Sequence, residues 1–165
     1  MAEEKYIIFT VGEQYYGMRL LRINGIEHNY KIVPVPLGAE CIKGIIHLRG
    51  TVIPVYDLRQ KFSIEGKGPK EKQLLVAETH NISMGFEVDN VLGIYSVEET
   101  DVNKIPLVVH TEETGYLEGV IRVPLNGAST PEIMLTIAVD TIMSEHEYEQ
   151  ISDALESEEL SGAAE

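Results

Sequence analysis

Arg49 is the side chain whose type and setting most strongly indicate chemistry with another molecule. Together with Gly50 it separates two apolar runs, Lys43–Leu48 and Thr51–Tyr56. A two-residue connection is the commonest loop of a β-hairpin, and glycine adopts the positive φ that such a turn requires. The spacing therefore predicts a guanidinium at the tip of a rigid hairpin, where it can bind a carboxylate of a partner. The alternative is that Arg49 only makes a turn soluble.

No residue pattern indicates a catalytic or metal site. The five histidines show neither a His-x-His nor a His-Glu-x-x-His spacing, and the single cysteine, Cys41, forms no Cys-x-x-Cys pair. A Gly-x-Ser-x-Gly turn is absent as well. We therefore expect no enzymatic activity, no metal and no cofactor. An unrecognised enzyme or a small-ligand-binding β-barrel stays open as an alternative.

The charge of the chain argues against polyanionic partners. Formal net charge is −14, and residues 141–165 hold eight of the 27 acids and no lysine or arginine. The other 140 residues keep 19 acids against 13 bases, a net charge of −6. Nucleic acids and anionic membrane surfaces both require a basic face, so we expect neither as a partner. No stretch approaches the length of a membrane helix, so no direct membrane insertion is expected.

The sequence around Arg49 resembles the CheW family of bacterial chemotaxis scaffolds. The family pattern is Gly-Val-x-Asn-Leu-Arg-Gly-x-x-x-Pro-Val-x-Asp-Leu, and eight residues match it: Gly44, Leu48, Arg49, Gly50, Pro54, Val55, Asp57 and Leu58. The segment from Tyr6 to Gly17 resembles the opening hairpin of the family, and the similarity continues weakly to about Leu155. Together these motifs span nearly the whole chain.

This resemblance implies a noncatalytic adaptor of chemotaxis signal transduction. Its partners would be the cytoplasmic tip of a methyl-accepting chemoreceptor and the regulatory domain of the CheA histidine kinase. The protein would be cytoplasmic, and peripheral to membrane receptor arrays through those partners. A CheW-like scaffold of a non-flagellar sensory pathway is the alternative within the family.

The resemblance also implies receptor-binding residues. The arginine of the Leu-Arg-Gly motif is tied to receptor binding in the family, which assigns that role to Arg49, with Leu48 beside it. Ile23 corresponds to an apolar position near the receptor groove, and Gly44 lets a neighbouring backbone approach closely. Each of these two has a structural alternative, Ile23 as a core residue and Gly44 as a bulge.

Two departures from the family pattern affect this site. The asparagine before Leu-Arg-Gly is His47 here, placed by strand alternation on the same side as Arg49. A Glu-Ile pair common in the family is Gly25-Ile26 in this chain, so one carboxylate is missing. Either Glu27 takes over from two positions further on, or Arg49 is free for a partner.

The elements that must position these residues are mostly β-strands. Lys5–Val11 and Gln14–Leu20 flank a Gly-first turn, which predicts an opening hairpin. Leu20, Ile23 and Ile26 follow at helical spacing and predict a short helix. We expect a helical turn over Asp57–Phe62, mostly loop over Glu98–Tyr116, and further strands at Gln73–Thr79, Ile82–Val88, Val91–Val97, Gly119–Val123 and Ile133–Val139.

An internal repeat predicts two similar units. Ile42–Leu48 resembles Leu117–Val123, and each is followed by a β-run that ends in aspartate. Short strands with frequent turns suit closed barrels, which have no exposed edges. The family resemblance implies the same fold class: mostly β, with two small SH3-like five-stranded β-barrels packed together, short helices and a C-terminal helix.

We expect a single CheW-like domain over residues 1–165. Glu65–Lys72 contains no apolar residue and reads as an exposed linker; its Gly-Lys-Gly-Pro-Lys run lacks the spacing of a phosphate-binding loop. Ser144 and Glu147 fit a capping box at the start of the last helix. The predicted parts, with strand exchange between the barrels left open, are a first barrel at 5–64, a linker at 65–72, a second barrel at 73–140, a helix at 144–156 and an acidic tail at 157–165.

Overall fold

The fold is mostly β, as predicted. The computed structural model describes residues 3–35, 40–104, 115–127 and 129–163. The strands in these ranges are β1 (Glu3–Val11), β2 (Gln14–Arg19), β3 (Ile23–Glu27), β4 (Ile42–Leu48), β5 (Thr51–Asp57), β6 (Gln73–Thr79), β7 (Ile82–Val88), β8 (Asn90–Glu98), β9 (Val102–Lys104), β10 (Leu117–Val123) and β11 (Glu132–Ile137). The α-helices are α1 (Leu58–Lys61) and α2 (Glu145–Ala163), and 3₁₀ turns cover Leu20–Arg22, Glu99–Asp101 and Leu125–Gly127.

The strands form two packed sheets that interleave along the chain. The described strands of the first sheet run in the order β8-β1-β2-β11-β10-β9, and those of the second in the order β3-β6-β7-β5-β4. The first sheet thus has six described strands rather than the predicted five, because β9 forms inside the segment expected to be loop. Residues 105–114 of that segment lie outside the described residues.

Each sheet takes strands from both sides of the segment at 65–72. The first sheet joins β1 and β2 to four strands that follow this segment, and β2 pairs with β11 in parallel. The second sheet joins β3, β4 and β5 to β6 and β7, with β5 parallel to β7. The predicted ranges 5–64 and 73–140 do not coincide with the two sheets. That each range forms a barrel of its own stays a prediction.

The short helix predicted from Leu20, Ile23 and Ile26 is wrong. Only the 3₁₀ turn Leu20–Arg22 is helical, and Ile23 and Ile26 lie in β3. The register of β3 against β6 shifts between Ile23 and Gly25, where a bulge inserts one residue. Ile23 and Ile26 are therefore three residues apart and still share a face with Ala77 and Leu75, which mimics a helical spacing.

The core has three layers. The largest cluster lies between the sheets and includes Ile7, Phe9, Leu75 and Phe86. A second cluster within the first sheet contains Tyr6 and Ile8, and a third within the second sheet contains Ile46, Ile53, Val55, Leu74 and Val76. Adjacent residues such as Ile7 and Ile8 enter different clusters because successive side chains of a strand point to opposite faces. The shared middle layer fixes the two sheets against each other.

The C-terminal helix begins as predicted. The Glu147 amide donates to Ser144 Oγ at 3.1 Å, and the Ser144 amide donates to Glu147 Oε1 at 3.2 Å, which completes the capping box. Ile151 is buried in the middle layer, and Tyr148 and Leu155 pack against it. The helix continues to Ala163, so most of the predicted acidic tail is helical.

Candidate functional site

The β4–β5 hairpin places Arg49 on a strained turn. Arg49 has a φ of 49° and Gly50 a φ of 81°, and positive φ at both central residues is what a type I′ turn requires. For arginine this region costs roughly 1 kcal/mol, whereas glycine adopts it freely. Glycine would therefore fit position 49 better than arginine does. Strain kept at a tight turn is typical of residues that act on a partner.

The Arg49 guanidinium is available to a partner. Its side chain is 84% exposed, and Nη2 lies 3.7 Å from Oε1 of Glu27, the last residue of β3. That distance is an ion pair without a hydrogen bond, and an exposed pair of this kind contributes about 0–1 kcal/mol. Glu27 is thus close to Arg49, as one of the two alternatives expected, and holds it only loosely.

His47 and Leu48 stand at the same end of the hairpin. His47 is exposed, and it pairs across the hairpin with Val52. Leu48 is half-buried and packs against the cluster inside the second sheet, next to its partner Thr51. Leu48 therefore anchors the hairpin tip, while His47 faces solvent near Arg49.

Ile23 and Gly44 lie apart from this tip. Ile23 is at the other end of β3 from Glu27, roughly 13 Å away at the ordinary rise of a strand, and packs against the middle layer. Gly44 is buried at a bulge, with a φ of 156°. A Cβ there would lie 2.2 Å from the Val33 carbonyl oxygen, which bonds to the Ile45 amide. The structure thus supports core and bulge roles for this pair, while their receptor contacts stay a prediction.

A second arginine, directly after the last residue of the motif, has a different environment. Arg59 in α1 donates from Nε and Nη2 to both carboxylate oxygens of Asp89, at 2.9 and 2.7 Å. The Gly12 amide donates to the same carboxylate at 2.8 Å. Burial raises the pKa of Asp89, but the Arg59 and Gly12 hydrogen bonds outweigh it and hold this pKa below its usual value. The hydrogen bonds among Gly12, Arg59 and Asp89 connect the β1–β2 turn, α1 and the β7–β8 turn.

Arg22 makes a second junction, which is partly exposed. Its guanidinium donates to both oxygens of Asp140 at 2.6 and 2.7 Å and to the Glu78 carbonyl at 3.0 Å. The Arg22 hydrogen bonds lower the pKa of Asp140, and one from the Thr79 hydroxyl adds to them. Neither junction followed from the sequence, because their partners are 30 and 118 residues apart. Leu21, beside Arg22, is 90% exposed and was also not anticipated.

Cys41 is not activated as a nucleophile. Burial raises the pKa of this thiol, although a hydrogen bond with Tyr56 partly opposes the rise. A protonated thiol is a poor nucleophile at neutral pH. Within the ranges 3–35, 40–104, 115–127 and 129–163, no group of three or more His, Cys, Asp or Glu side chains is arranged to hold a metal ion. In the same ranges no helix combines the length and apolarity needed to cross a bilayer.

Comparison with known proteins adds three findings. A family model described as CheW-like domain matches residues 5–147. The Chemotaxis protein CheW of Klebsiella aerogenes is 24% identical over 155 residues, 93% of this chain and 90% of that protein. The Chemotaxis protein CheW of Thermotoga maritima is 31% identical over 103 residues, 62% of this chain and 68% of that protein.

The fold itself has a solved counterpart. The crystal structure of the scaffolding protein TtCheW from Thermoanaerobacter tengcongensis matches with a TM-score of 0.74 and 25% identity. The match covers 86% of this chain and 92% of that one. Sequence motifs and three-dimensional architecture therefore point to the same family.

Proposed function

The chain belongs to the CheW family, and on that premise we propose that it is a noncatalytic adaptor that couples chemoreceptor tips to the CheA histidine kinase. The family is a chemotaxis scaffold, which agrees with a molecule made of two sheets on one shared core. Such a frame acts by holding two binding surfaces at a fixed separation. Its proposed location is the cytoplasm, at receptor arrays.

One observation supports the receptor contact most directly. The chain keeps an arginine at a turn position with positive φ, and leaves its side chain 84% exposed. A desolvated guanidinium opposite a carboxylate forms short, charge-assisted bonds that an exposed intramolecular pair cannot match. We propose that a carboxylate on the receptor tip replaces Glu27 as the closest partner of Arg49.

We propose that the rest of the receptor surface extends from this tip along β3. An amphipathic receptor helix would lie in a groove between the barrels and present apolar anchors to it. Leu21 is exposed and offers apolar area at the far end of β3, beside Ile23, while His47, Leu48 and Glu27 border the guanidinium. We expect each such interface to be weak, on the order of micromolar or about −8 kcal/mol, and to gain strength in arrays by repeated engagement.

Glu27 has a supporting role in this proposal. It is 20% exposed and fixed in β3 by pairing with Leu74, so its carboxylate is more constrained than the guanidinium it faces. We propose that it orients Arg49 before binding, in place of the family's glutamate, whose position is occupied by Gly25 in this chain. Because that replacement shifts the carboxylate by two residues, a scaffold of a non-flagellar sensory pathway is the second candidate function.

Charge reversal at the hairpin tip tests the proposal. Arg49→Glu should weaken binding to a receptor signalling fragment by at least about fivefold, the effect of removing more than about 1 kcal/mol. Arg122→Glu is the matched control, because Arg122 is also exposed but lies on β10 of the first sheet. Equal binding by both variants in co-sedimentation with receptor and kinase would contradict the proposal. Retained kinase recruitment without receptor would separate the two partners.

A further inference from the structure

A cavity of about 370 Å³ opens on the second sheet, at the end of β4 away from the hairpin tip. It lies between the segment that follows β3, the start of β4 and the residues just before β6. Three of the eight lysines of the chain line it: Lys43, Lys70 and Lys72. Nothing in the proposed adaptor role uses this cavity.

The base of the cavity is a buried carboxylate. Glu87 is 5% exposed, and its oxygens accept hydrogen bonds from Tyr30 Oη at 2.7 Å and from Lys43 Nζ at 2.6 Å. These hydrogen bonds hold the Lys43 ammonium and the Tyr30 phenol in place along one wall of the cavity. Because the carboxylate is already satisfied by two donors, it serves to position the lysine.

Lys72 brings a second ammonium to the same place. Its side chain is 15% exposed, and Nζ lies 3.8 Å from Glu87 Oε1, beyond hydrogen-bond distance. An ammonium carries three donors, and among the residues that the structure describes Lys72 Nζ makes no hydrogen bond, so its donors are left for a ligand. Lys70 lines the cavity from the same segment.

The local charge is opposite in sign to that of the chain. The lining side chains include three lysines and two carboxylates, Glu71 and Glu87, a net charge of +1 on a protein of −14. The cationic groups are all lysine ammonium groups, which bind phosphate oxygens as point charges. Ile32 adds an apolar wall, and the volume exceeds that of a phosphate group alone.

We propose that this cavity binds a small phosphorylated molecule, with its phosphate group between Lys43, Lys70 and Lys72. Asn29 and Ile32 line the remaining space and would face the organic part of the ligand. The proposal does not depend on the adaptor function. It also differs from a phosphate-binding loop, because lysine side chains rather than glycine-rich backbone amides supply the donors.

Titration of the full-length protein with sodium phosphate, followed by ¹H–¹⁵N NMR, tests this proposal. We expect saturable shifts of the Lys43, Lys72 and Gln73 amides, in excess of those caused by sodium chloride at the same ionic strength. Glycerol 3-phosphate should bind at least about threefold more tightly than inorganic phosphate if the cavity takes phosphomonoesters. Equal affinity would assign the site to free phosphate and overturn the ligand class.

Two matched variants locate the binding. Lys72→Gln should weaken phosphate binding at least about fivefold and leave the Lys43–Glu87–Tyr30 contacts in place. Lys67→Gln, in the same segment but outside the lining residues, should leave the affinity unchanged. Equal losses in both variants, equal affinity for acetate, or shifts no larger than those with chloride would each overturn the proposal. Thermal melts of both variants check that they fold.

Discussion

Two arginines ten residues apart, one inside the sequence motif and one directly after it, have opposite roles in this molecule. The Arg59 side chain is 13% exposed and makes a bidentate pair with Asp89, itself 7% exposed. The Arg49 side chain is 84% exposed and has Glu27 at 3.7 Å. The comparison teaches that residue type and nearness in the sequence do not distinguish a structural guanidinium from an available one. Burial and the geometry of the carboxylate do.

The largest effect should come from the buried pair. Arg59→Met leaves the Asp89 carboxylate buried without its cation, and should lower the free energy of unfolding by about 3 kcal/mol. Urea unfolding monitored by circular dichroism measures it. The double variant Arg59→Met/Asp89→Asn should recover part of the loss, because no unpaired charge remains. A loss below about 1 kcal/mol in the single variant would remove the contrast between the two arginines.

The pH dependence of stability should report the same pair. The pKa of Asp89 is lowered in the folded state, so its contribution is complete above the unfolded pKa of about 3.9 and is lost as pH falls through the folded value. Unfolding free energy should therefore decrease below about pH 5. Asp89→Asn should flatten that decrease when urea midpoints are compared between pH 5 and pH 2.5. An unchanged slope would show that Asp89 is not the acid-sensitive group.

Arg22 should lie between the two extremes. Its side chain is 35% exposed and its partner Asp140 is 55% exposed, although both hydrogen bonds are short. Arg22→Met should reduce the unfolding free energy by about 1 kcal/mol, because solvent compensates part of the lost pairing. Chemical denaturation at low and at high salt measures this. An effect as large as that of Arg59→Met would break the relation between exposure and stabilisation.

The smallest change in stability should come from Glu27. Glu27→Gln removes only a loose, exposed contact, so the unfolding free energy should change by less than about 0.5 kcal/mol. Receptor binding should weaken less than in Arg49→Glu, since the variant loses the orienting carboxylate and keeps the guanidinium. A binding assay with the same receptor fragment compares the two. Binding lost to the same extent in both would make Glu27 an equal contributor.

The sequence predicted local hairpins well because alternation and tight turns are local properties. The exposed position of Arg49 followed from a two-residue turn, and the capping box of α2 followed from Ser144 and Glu147. The β3 strand was missed because the bulge near Gly25 gives Ile23 and Ile26 a helix-like spacing. Bulges depend on pairing with another strand, which a local pattern does not contain.

The arrangement of the sheets and the polar junctions depends on distant contacts. The parallel pairs of β2 with β11 and β5 with β7 join strands far apart in the chain, so the interleaving was only left open as strand exchange. The partners of Asp89 and Asp140 could not be predicted either, because Arg59 and Arg22 lie 30 and 118 residues away in the chain. The buried Glu87 likewise looked like an ordinary strand residue until Tyr30 and Lys43 were placed around it.

The central claim is that Arg49 serves a partner and not the fold, and Arg49→Gly tests it most directly. Glycine relieves the positive φ at the turn, so the unfolding free energy should stay equal or rise by up to about 1 kcal/mol. Binding to a receptor signalling fragment, measured on the same preparation, should fall at least about fivefold. A variant that unfolds more easily, or that binds receptor as well as the wild type, would contradict the account.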